Sequence, residues 1–253
     1  MGFIAALIST ALCAVVYVRM YKRELPEPMG KRKAAVPVAF GVVSVLLSTA
    51  LVIAFGFGIR ATVGSVAEAV SNPVLSSLVS SFLLAGFTEE LVKFLVFLLT
   101  LKICKPKSVY EYGMLCAGVG FGFTGLEAML YGGQAPAASF LRILFFAMHM
   151  VFGLLMGLHW GLARYAKKQG NPGAGKHTFL AGFLPVLWHT VFDAFTTVNP
   201  ALRFDDDTVK IAGIVAAGVV LAVSIALQAL LLIRFRKNAE TYCGMLLTEP
   251  AVE

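Results

Sequence analysis

Glu89, Glu90, Lys93, Glu127 and Asp193 fall inside stretches of sequence that are otherwise apolar, and His149, His159 and His189 join them. A charge at the centre of a membrane-crossing helix costs about 2.5–3.5 kcal/mol on insertion scales, so such residues normally face a bundle interior and mark a site. Their spacing is helical. Glu89 and Lys93, Glu127 and Tyr131, Phe145 and His149, and His189 and Asp193 are each four residues apart, so each pair shares a helix face. Arg142 lies two turns before His149, and Glu90 is turned about 100° from Glu89. Carboxylates and imidazoles converging in low dielectric suit the activation of water. One carboxylate acts as general base, and a histidine steadied by Asp193 donates to a developing oxyanion. Metal-assisted hydrolysis uses the same residue types, and spacing leaves both schemes open. The candidates are therefore Glu89, Glu90, Glu127, His149, His189 and Asp193, supported by Lys93, Tyr131 and Arg142.

Several neighbours have plainer readings. Lys93 is in part the counter-charge that makes two glutamates tolerable, and Tyr131 reads equally as an interfacial aromatic. Phe145 reads as packing. His159 sits at headgroup level on no shared stripe, and His177 falls in a loop. Gly118, Gly120, Gly122 and Gly125 make one small-faced helix, which predicts close helix contact and not a nucleotide loop.

The elements that must carry these residues follow from composition. The chain of 253 residues is 58% hydrophobic and 14% charged, with mean hydropathy +0.83, against roughly 25% charged residues in soluble domains. Runs of roughly 20 apolar residues are long enough to span a bilayer, and seven are expected, near 3–18, 35–58, 74–101, 112–131, 140–162, 178–198 and 211–233. The expected fold is an all-α polytopic bundle forming one domain over 1–253, with loops at Glu24 to Gly30, Gly132 to Pro136 and Gly170 to Gly175. The net charge of +7 does not imply nucleic acid, because the basic residues fall in short clusters between apolar runs. Sixteen Lys and Arg lie on one side and four on the other, which predicts the N-terminus outside, the C-terminus in the cytoplasm, and Asp205 to Asp207 outside. The first run is read as a retained helix, since its basic residues follow it, the reverse of a signal peptide. Cys13, Cys104, Cys116 and Cys243 show no metal-like spacing and are expected as free thiols.

Other hydrolytic schemes lack their residues. There is no HExxH, no second aspartate inside a span, and no GxSxG; a retinal-type lysine is missing from 211–233. A proton-coupled transporter or a non-enzymatic scaffold would also bury carboxylates, but paired repeats are not visible.

The motifs resemble those of a known family. Glu89-Glu90-Leu-Val-Lys93 resembles the EExxK motif of the PrsW family of intramembrane proteases, and Gly122 to Tyr131 resembles its GF(x)3ExxxY motif. His149 to Gly153 and His189 to Asp193 are similar to its two histidine helices, and Tyr21 to Pro28 to its charged first loop. The resemblance runs from about residue 15 to 230, departing at Ala128, where an Asn is expected. Phe145 to His149 and His189 to Asp193 are also similar to the FxxxH and HxxxN/D motifs of the wider Abi/type II CAAX-protease group. The resemblance implies a multi-pass peptidase of the bacterial inner membrane that cuts single-pass, anti-sigma-factor-like substrates at a first, extracytoplasmic site. It implies that Glu89 or Glu90 activates water, that His149 assists, and that His189 with Asp193 stabilises the oxyanion. The family is also regarded as metal-dependent; zinc is compatible with that, with Glu89, Glu90, Glu127, His149 and His189 as the available ligands.

Overall fold

The computed structural model describes residues 2–23, 29–63, 70, 72–131, 143–196 and 207–247. The elements in chain order are α1 (Gly2–Tyr21), α2 (Lys31–Val63), α3 (Pro73–Ser81), a π-helical turn (Phe82–Gly86), α4 (Phe87–Cys104), α5 (Val109–Leu130), α6 (Met148–Lys168), α7 (Ala174–Thr196), α8 (Asp207–Lys237) and α9 (Ala239–Gly244). Among the described residues there is no strand, only an isolated bridge between Ser108 and Leu246.

Among the described residues five segments are long and apolar enough to cross a membrane: Gly2–Tyr21, Lys31–Gly58, Val109–Leu130, Ala174–Thr196 and Lys210–Lys237. Two of the seven expected spans take another form. The run 74–101 is divided by the π turn, and α4 alone carries Glu89, Glu90, Lys93 and Lys102. The run expected from 140 becomes α6 only at Met148; residues 145–147 form a turn, so Phe145 and His149 do not share a helix face as their spacing predicts. Gln228 of α8 holds that turn: Ala147 N–H donates to its Oε1 (3.1 Å), and its Nε2 donates to the Leu144 carbonyl (3.3 Å). Of the expected loops, 24–28 and 132–136 lie outside the described residues; Gly170, at φ 67°, ends α6, and α7 has already begun at Ala174.

The bundle is inverted relative to a soluble protein. Helix α5 is its axis, buried almost continuously from Val109 to Gly120 and packed by α1, α2, α6 and α9. The outer helices present apolar side chains outward, among them Leu46, Phe57, Phe179 and Ile211, as a lipid-facing surface allows. Without a hydrophobic drive between helices, association rests on close approach at small residues. Gly120 of α5 lies against the backbone carbonyl of His149, and Gly153 and Gly157 of α6 lie against the carbonyls of Cys116 and Tyr112. A Cβ at Gly120 would collide with backbone, which cannot rotate aside. Gly120→Ala is therefore expected to cost about 1–3 kcal/mol, whereas Gly125→Ala, whose Cβ would meet only Thr10 Cγ2 at 3.6 Å, stays within about 0.5 kcal/mol. Thermal unfolding of both variants in detergent checks this; equal melting temperatures would contradict it.

One end of the bundle gathers the basic clusters. Lys33 pairs with the buried Glu111, which also accepts from Lys107 N–H (2.7 Å), and Arg23 approaches Glu240 at 3.7 Å. The C-terminal segment closes over this end: Val109 N–H donates to Met245 O (3.2 Å), and Leu247 N–H to Lys107 O (2.8 Å). Phe235 stacks between Tyr110 and Tyr242. The four cysteines are free thiols.

Candidate active site

The π turn sets the position of the two glutamates. It takes one residue more per turn than an α-helix, and such turns recur at functional sites. Thr88 Oγ1 braces it by donating to Leu83 O (2.5 Å). On the facing helix, Thr190 and Val186 of α7 press against Gly86, where a Cβ has no room. The close contact places His189, one residue earlier, beside Glu90.

Lys93 is the hub, with its ammonium almost wholly enclosed. Its three N–H groups meet Glu90 Oε1 at 2.8 Å, His149 Nδ1 at 3.0 Å and Glu89 Oε2 at 3.3 Å. The face of Phe123 lies 3.7 Å away, a cation–π contact. An ammonium can only donate, so His149 Nδ1 accepts. That leaves His149 Nε2–H to donate to Glu127 Oε2 at 2.8 Å. Glu90 Oε1 also accepts from His189 Nδ1–H at 2.9 Å. The other His189 nitrogen, Nε2, stands 3.8 Å from Glu89 Oε2 and 3.7 Å from Asp193 Oδ2. The two imidazole rings lie edge to face, 5.1 Å between centroids.

Four helices thus bring Glu89, Glu90, Lys93, Glu127, His149, His189 and Asp193 together. All except Glu90 and Lys93 line one cavity of about 830 Å³, as do Tyr131 and Phe145. Glu90 and Lys93 lie behind the wall, each about 1% exposed. Phe145 packs edge-on against Phe192, and Arg142 lies outside the described residues. His159 and His177, the two histidines set aside on sequence, pair with each other through Nδ1 atoms 3.0 Å apart, away from the cavity. No spacing rule joins two residues on different helices.

Glu89, His149 and His189 each offer one ligand atom, and these atoms lie within 4.8 Å of one another. Two imidazoles and a carboxylate form a donor set that hydrolytic zinc uses. Metal-binding histidines usually hold a carboxylate on the second nitrogen. His189 does so with Glu90, leaving Nε2 for an ion, whereas His149 holds Glu127 on Nε2 and the Lys93 ammonium on Nδ1, so its Nδ1 becomes a ligand once Lys93 gives up that contact.

A family model described as PrsW family intramembrane metalloprotease matches residues 31–227, most of the chain. The chain belongs to the PrsW family. It is accordingly a membrane-embedded peptidase, which removes the transporter and scaffold readings. The matched region of this PrsW protein includes α2 to α7 and every described residue of the site. No curated protein sequence and no solved structure matches the chain.

Proposed function

We propose that this PrsW-family peptidase hydrolyses a peptide bond in single-pass membrane proteins with Glu89 as the general base. The observation that carries the assignment is the division between the adjacent glutamates. Glu89 lines the cavity, whereas Glu90 spends one oxygen on both Lys93 and His189 and lies behind the wall. Glu89 takes a proton from water as the water oxygen bonds to the carbonyl carbon, then returns it to the amine nitrogen as the C–N bond breaks. His189, with Asp193 one turn away, is the donor for the carbonyl oxygen while it carries charge. His149, tied to Glu127 and Lys93, fixes the ammonium that offsets the glutamate pair; Glu90 is a positioning residue for His189.

Glu89, His149 and His189 would hold a divalent ion such as zinc; bound there it would supply Lewis-acid polarisation of the carbonyl oxygen and a more acidic water. His189 Nε2 would then be its ligand in place of the oxyanion donor, since Nδ1–H is held by Glu90. The end rich in Lys and Arg faces the cytoplasm, seven segments cross the membrane with α3, the π turn and α4 counted as one, and the N-terminus is outside. The cavity then opens toward the outer half of a bacterial inner membrane. That depth suits first-site cleavage of an anti-sigma-factor-like substrate.

The test is purified protein in detergent or liposomes, incubated with candidate single-pass substrates, with and without a strong chelator. Cleavage that stops on chelation and returns with zinc is expected. Full activity in chelator would remove the ion from the scheme, and no cleavage of any single-pass substrate would sink the proteolytic assignment.

A further inference from the structure

Serine and threonine hydroxyls inside membrane helices ordinarily donate back to a carbonyl one turn earlier. On the cavity wall Ser48, Thr49, Thr124 and Thr196 do so, at 3.0, 2.8, 3.1 and 2.7 Å. Ser81 does not. Ser81 lines the same cavity, the residue is 2% exposed, and its buried Oγ has no hydrogen-bond partner among the described residues. The chain explains the geometry locally: Ser81 is the last residue of α3, and the π turn begins immediately after it. Glu89 follows beyond that turn and lines the cavity too. A buried polar atom left without a partner calls for an explanation.

We infer that Ser81 is a substrate-binding residue whose hydroxyl hydrogen-bonds the backbone of the peptide segment drawn out beside Glu89. This rests on the proteolytic reading above and adds a specific contact to it. A bond inside a helix cannot be attacked until the helix opens, and in a membrane the freed N–H and C=O groups find no water. A hydroxyl can both donate and accept, so Ser81 can serve either group.

The experiment uses the full chain with Glu89→Gln, which prevents turnover, and a biotinylated single-pass peptide of about 20 apolar residues with a central Gly-Ser break beside a photoreactive residue. The peptide concentration giving half-maximal crosslinking and the melting temperature are measured with Ser81, Ser81→Ala and Ser81→Thr. Ser81→Ala is expected to raise that concentration about ten-fold, the weight of one hydrogen bond left unmade, while the melting temperature holds or rises because no intramolecular bond is lost. Ser81→Thr, which keeps the hydroxyl, recovers crosslinking. Unchanged crosslinking in Ser81→Ala, a melting temperature that falls with it, or no specific crosslinking at all would overturn the inference. Crosslinking that depends on Ser81, in a protein whose Glu89 form cuts nothing, would retain Ser81 as a peptide contact while rejecting the proteolytic reading.

Discussion

Glu89→Gln is expected to lower cleavage of a single-pass substrate by about a thousand-fold or more, within the 10²–10⁴ range that general acid–base groups supply, compounded where the same side chain also ligates an ion. Glutamine keeps the size of the side chain and a carbonyl oxygen for Lys93, but it cannot take a proton from water. The fold should survive. Glu89 is on the cavity wall, its contact with Lys93 is the longest of the three at 3.3 Å, and Lys93 keeps Glu90 and His149. The paired variant Glu90→Gln separates base from positioner, because Glu90 acts only through His189 and Lys93. It should lose less activity and more stability than Glu89→Gln. Initial cleavage rates alongside melting temperatures for both variants decide it. Glu90→Gln abolishing turnover at unchanged stability, with Glu89→Gln still active, would reverse the two roles.

The helices were legible because apolar runs of spanning length leave few alternatives, and the polar stripes because residues four apart share a face. Glu89 with Lys93 and His189 with Asp193 are contacts of that local kind. The contacts that build the site are not. Glu90 with His189, Lys93 with His149 and Glu127 with His149 each join different helices, and their register depends on backbones meeting at glycine. The stripe at Gly120 and Gly122 predicted close packing, but not that the carbonyl of His149 would lie against Gly120. The π turn has no composition of its own in Phe82–Gly86. Its register change is visible only once Thr88 is seen bonding to Leu83. The late start of α6 escaped for a similar reason, since Gln228 holds residues 144–147 from a helix more than 80 positions away. The pairing of Lys33 with Glu111 likewise joins two different helices, and no spacing along the chain announces it.

Lys93→Met is expected to destabilise the protein by about 3–5 kcal/mol, the cost of removing one partner from a buried ion pair, and to do so more than any other single change at the site. Methionine fills the stem and can rest on Phe123, so packing is nearly conserved and the loss isolates the charge. Without the ammonium, Glu90 Oε1 keeps only His189 Nδ1–H as a donor, its Oε2 has no partner among the described residues, and Glu89 stands one residue away. Two adjacent carboxylates would then sit in a low dielectric with only His189 left beside them to offset their charge. Lys93→Arg should not rescue the variant, because a planar guanidinium needs more room than a pocket that leaves Lys93 1% exposed. Combining Lys93→Met with Glu90→Gln removes one uncompensated charge along with its partner. The double variant should therefore be more stable than Lys93→Met alone, and a double-mutant cycle measures that coupling directly. Melting temperatures in detergent give the order: wild type highest, then Lys93→Met with Glu90→Gln, then Lys93→Met. If Lys93→Met melted with the wild type, the ammonium would not be what holds the glutamate pair in the membrane interior, and the positions of Glu89 and His189 around it would need another cause.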